Sequence, residues 1–71
     1  MNEARQKATA DAIRDLDARI EHTDNAAKRL RKQRRELRVR LHDQAGWSWR
    51  ALGRLSGHSH YAVKKDAELD A

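Results

Sequence analysis

The chain has 71 residues, with 16 lysines and arginines against 11 aspartates and glutamates, and carries a formal charge of +5. It has no cysteine, which excludes thiol nucleophiles, disulfide frameworks and cysteine-based zinc fingers. Twelve of its hydrophobic residues are alanine, and fourteen large apolar side chains remain once Met1 is set aside. So few cannot wall off an active-site cleft, so neither an enzyme nor a cofactor is expected.

A core this thin supplies no more than ~3–5 kcal/mol, which makes a homodimer the expected source of further burial. Nowhere do eighteen apolar residues follow one another, and residues 1–12 lack the apolar stretch of a signal peptide, so a cytoplasmic protein is expected.

Helix formers dominate from Asn2 to Ala45, with no glycine or proline before Gly46. Alternate steps of three and four give Ile13, Leu16, Ile20, Thr23, Ala27, Leu30, Arg34, Leu37 and Leu41, a narrow heptad stripe of the coiled-coil type. The apolar members, Ile13, Leu16, Ile20, Ala27, Leu30, Leu37 and Leu41, are the expected oligomerisation residues. Three arrangements satisfy the stripe. A parallel pair sets Arg34 against its own copy, whereas an antiparallel pair brings Asp17 towards Arg38 of a second copy and is electrostatically better. A break at Thr23-Asp24-Asn25, residues that favour caps and turns, would instead fold residues 3–22 back on 27–44 as a hairpin. The unbroken stripe favours one continuous helix.

Charge is segregated along the chain. Residues 1–27 are net acidic, residues 41–71 are neutral, and residues 28–40 hold eight cations against Glu36 alone. A positive strip of that density attracts phosphate backbones, and it would also suit an acidic protein.

Gly46 is placed to end the first helical region, and Ser48 to cap a helix from Trp49 to about Ser56. Ser56-Gly57-His58-Ser59 then supplies a turn, with Gly57 free to take positive φ and Ser59 capping a helix from His60 towards Asp70. The stretch from Gly46 to Asp66 resembles the helix-turn-helix of small bacterial and phage DNA-binding regulators. It carries Ser48 and Ser59 as caps, Leu52 and Gly53 in the first helix, Gly57 in the turn and Ala62-Val63 in the second. His58 departs from the resemblance, since it stands where such proteins bury valine.

The expected fold is all-α, with a long N-terminal coiled-coil-type helix read from the stripe, followed by the compact helix-turn-helix that the resemblance implies. Residues 1–33 would be the oligomerisation helix, basic from residue 28, and residues 34–71 the DNA-binding unit. Leu52, Leu55 and Val63 would pack against Leu37, Leu41 and the tryptophans. The helix 60–70 would enter the major groove of double-stranded DNA, with His60, Tyr61 and Lys64 at base edges. Ser48, Arg50, Arg54, Ser59, Lys65, Arg31, Arg35 and Arg38 would meet phosphates. The function implied is that of a small dimeric regulator: a phage or mobile-element repressor, a transcription factor or an excision factor, associated with the nucleoid. The competing expectation is a coiled-coil adaptor or inhibitor that binds an acidic protein partner.

His58 and His60, an H-x-H pair across a turn, lack the further ligands of a zinc site, so no metal is expected. Trp47 and Trp49 flank a helix cap, where a core role outweighs a base-stacking one.

Overall fold

Asn2 starts the first helix by accepting the amide proton of Arg5 on its Oδ1 at 2.8 Å. In the computed structural model, which describes residues 1–23 and 26–69, four helices follow: α1 (Glu3–His22), α2 (Ala27–Ala45), α3 (Trp49–Ser56) and α4 (His60–Glu68). The described chain is all-α.

The single long helix expected from the stripe is divided. Thr23 ends α1 in an extended conformation, and α2 returns along α1; Asp24 and Asn25, the rest of the expected turn run, lie outside the described residues. The stripe is thereby used within one chain. Ile13, Leu16, Ala27, Leu30 and Leu41 are buried, and Ile20 and Leu37 are half-buried. Periodicity could not separate the two outcomes, because a hairpin and a coiled coil both need one apolar row per helix. Folding back buries that row without the entropic cost of assembling two chains.

A second copy is therefore not required to cover these seven side chains. Light scattering coupled to size exclusion should give the mass of one chain at micromolar concentration; the mass of two chains would show that another surface pairs.

The C-terminal half follows from local chemistry. Gly46 takes φ 73° and ends α2, as expected of an αL cap. Ser48 Oγ accepts from the amide of Ala51 at 3.1 Å and starts α3. Gly57 takes φ 71°, with its N–H donating to Arg54 O and that of His58 to Gly53 O, the paired bonds of a Schellman ending. Ser59 Oγ accepts from Ala62 N at 3.2 Å and starts α4. That helix is described as far as Glu68, with Leu69 as its cap; Asp70, its expected end, lies outside the described residues.

One residue from each helix meets at the centre: Ile13, Leu41, Leu52 and Val63, each 0% exposed. Leu37, Trp47, Trp49 and Leu55 pack around them, as the sequence predicts. Trp47 also donates its Nε1–H to Gln6 Oε1 at 2.9 Å, tying the start of α1 to the α2–α3 junction. Trp49 stacks on His42, with centroids 3.8 Å apart and planes inclined by 17°. His42 Nδ1 lies 2.6 Å from the carbonyl oxygen of Trp47; because a carbonyl only accepts, that nitrogen carries the proton.

Candidate nucleic-acid interface

Burying Val63 orients the whole of α4. Asp66, one turn on, faces α2, and the rows between them turn outward. Tyr61, Lys64, Lys65 and Glu68 therefore form an exposed stripe at spacings of three and four, with Tyr61 74% exposed. His60 is half-buried, its ring tilted against Tyr61 at 4.1 Å between centroids. Of the three residues expected at base edges, Tyr61 and Lys64 project fully and His60 supports Tyr61. Glu68 closes the far end of the stripe with negative charge, and its cations, Lys64 and Lys65, stand at the middle of α4.

Ser48, Arg50, Arg54 and Ser59 are exposed on α3 and the two caps, and Lys65 on α4. Arg31 is exposed on α2. Arg35 and Arg38 have a different environment from the one expected. Arg38 is 2% exposed; its Nη1 lies 3.6 Å from Asp66 Oδ2, and its Nη2 donates to His58 Nδ1 at 3.1 Å. Arg35 donates from Nη2 to Asp66 Oδ1 at 3.3 Å and from Nε to the same oxygen at 3.4 Å. Arg38 is enclosed, so in this conformation it is not available to a phosphate, and Arg35 is engaged by α4.

These contacts belong to a charged cluster joining all four helices. Asp17 on α1 accepts from Arg34 Nη1 at 2.7 Å and from Ser56 Oγ at 2.6 Å. Burial first, and the neighbouring Arg34 charge second, push Arg38 below the usual guanidinium value, while Asp17 and Asp66 oppose them. Arg34 Nε, Arg38 Nε and Asp66 Oδ2 are buried without a hydrogen-bond partner, so desolvation is only partly offset.

The cluster also accounts for His58. The ring replaces the valine of the resemblance because it is exposed to solvent and accepts from the enclosed Arg38, which places its own proton on Nε2 when it is neutral. Sequence reasoning set Asp17 against Arg38 of a second copy, whereas the structure pairs it with Arg34 of the same chain, and it missed Ser56 and Asp66 as partners. The available signal was Arg34, a cation inside an otherwise apolar row. Among the described residues no group of three or more histidine and acidic side chains is placed to hold a metal ion.

No helix described is long and apolar enough to cross a membrane. No protein-family model, curated protein or solved structure matches the chain.

Proposed function

We propose that the chain binds double-stranded DNA through a helix-turn-helix formed by α3 and α4, as a small regulator of the repressor, transcription-factor or excision-factor kind acting in the cytoplasm at the nucleoid. The observation that carries this reading is the outward stripe of α4. Two short capped helices, a three-residue turn at residues 57–59 and the buried Leu52 and Val63 hold Tyr61 and Lys64 clear of the rest of the chain. A helix aimed this way fits the major groove, where side chains near its start reach base edges. Arg50 and Arg54 on α3, with Ser48 and Ser59 at the helix starts, would take phosphates on either side. The exposed cations of residues 28–40 would add sequence-independent affinity.

Two copies reading two half-sites would need a contact other than the apolar stripe, which the hairpin covers. The same coverage weakens the reading as a coiled-coil adaptor for an acidic protein.

Selection from a pool of random duplexes tests the proposal. The unmodified chain should retain duplexes at ~50 mM salt and enrich a recurring short sequence. The double variant Tyr61→Ala with Lys64→Ala should still retain the pool yet enrich nothing, since each lost base contact removes ~1–3 kcal/mol of discrimination. Failure of the unmodified chain to retain any duplex at that salt would reject DNA binding in favour of a protein partner.

A further inference from the structure

The basic segment of α2 is divided by its neighbours into two unlike parts. Arg34 is bound to Asp17, and Arg35 and Arg38 share Asp66, so these three arginines are engaged by two carboxylates within the fold. Lys28, Arg29, Arg31 and Lys32 are exposed, and among the described residues none of the four has an ion-pair partner. Stability alone would select the reverse. The start of a helix is its positive end and favours acidic side chains, yet the first turn of α2 has none and Ala26 supplies no capping side chain. The spacing adds like-charge neighbours at 28 and 31, 28 and 32, and 29 and 32, each of them unfavourable. Such a concentration of uncompensated charge is relieved by an external polyanion.

We infer that Lys28, Arg29, Arg31 and Lys32 form a phosphate clamp, separate from the α3–α4 contacts, that grips the backbone of the duplex read by α4. This deepens the proposed DNA binding and rests on it. Placement supports the assignment. Lys28, Arg31 and Arg35 follow one another at spacings of three and four and share one side of α2. Arg35 is where α4 rests, through Asp66. The clamp thus begins at the edge of the α4 contact and runs along α2 for roughly 10 Å, seven residues at about 1.5 Å each. Duplex DNA offers about one phosphate charge per 1.7 Å of its axis, so several phosphates fall within that reach. An acidic protein surface would supply charge without that regular density, and the test separates the two.

The test is the salt dependence of anisotropy for a labelled random-sequence duplex bound by the full chain, from ~50 to 200 mM salt. Replacing the four cations together, K28Q, R29Q, R31Q and K32Q, should lower the slope of log affinity against log salt by up to about 3.6, at ~0.9 per phosphate. Over that fourfold rise in salt the unmodified chain should then lose up to roughly 150-fold more affinity than the variant. Glutamine keeps the helix, and relief of repulsion should hold or raise the melting temperature of the variant at low salt. The single variant R31Q, which perturbs the fold least, should lower the slope by about one. Duplex binding by the unmodified chain with slopes unchanged in both variants would overturn the clamp and leave α4 as the reading element. Absence of duplex binding by the unmodified chain would overturn the clamp and the DNA reading together.

Discussion

Asp66→Ala should destabilise the fold by about 3 kcal/mol, whereas Arg38→Met should cost less than ~1.5 kcal/mol or nothing. The two residues face each other, so a naive view would give them equal weight. They differ in what each substitution leaves behind. Without Asp66, the 2% exposed guanidinium of Arg38 stays enclosed with Arg34 as its neighbour, and only Asp17 still opposes the unfavourable terms. Removing one member of a buried pair typically costs ~3–5 kcal/mol, and the lower end applies because the Asp66 side chain is 20% exposed. Without Arg38, Asp66 retains Arg35, an unpartnered buried Nε disappears, and methionine fills most of the volume. What is lost is the bond to the exposed His58 ring and the 3.6 Å contact with Asp66 Oδ2, an oxygen that accepts no hydrogen bond. Urea denaturation of the two variants measures the asymmetry directly. Equal losses would mean that the ion pair contributes net stability through both partners, against the cost of enclosing Arg38.

Gly53→Ala should destabilise by about 2 kcal/mol and lower the melting temperature by roughly 10 °C, although alanine is the better helix former by ~1 kcal/mol. A Cβ built on Gly53 would lie 2.5 Å from the carbonyl oxygen of His58 and 3.3 Å from the carbonyl carbon of Ser59. Both are backbone atoms, so no flexible side chain can move aside. The resemblance includes glycine at this place, and the close approach that requires it is to the turn at His58 and Ser59. That turn is also pinned by the His58 N–H bond to Gly53 O at 2.8 Å. Relieving the clash would push the turn outward and carry Ser59, the cap of α4, with it. The variant should accordingly bind duplex more weakly as well as melt earlier. A melting temperature at or above that of the unmodified chain would contradict the close approach.

The parts of the fold visible in the sequence are those decided within a few residues. Ser48 and Ser59 cap their helices, and Gly46 and Gly57 adopt positive φ, because each choice depends on backbone groups three to five positions away. The inward set of Leu52, Leu55 and Val63 was legible through the resemblance, which places them on the facing sides of two short helices. The reversal after Thr23 was not, since the same apolar row suits a hairpin and a continuous helix and only the distant partner differs. The charged cluster was least legible. Asp66 sits in a polar helix and reads as a solvated charge until tertiary packing sets it beside Arg35 and Arg38, 31 and 28 positions earlier in the chain. For the candidate interface, Arg50, Arg54, Tyr61, Lys64 and Lys65 on α3 and α4 are exposed, while Arg35 and Arg38 are held by an aspartate.

Titration of the isotope-labelled full chain with a short random-sequence duplex, followed through its amide resonances, tests the proposed DNA binding most directly. The amides of Ser59 to Lys65 and of Lys28 to Lys32 should shift together as duplex is added, while those on the outer face of α1, at Asp11, Arg14 and Asp15, stay in place. Shifts concentrated on α1, or a spectrum unchanged at low salt, would contradict the account.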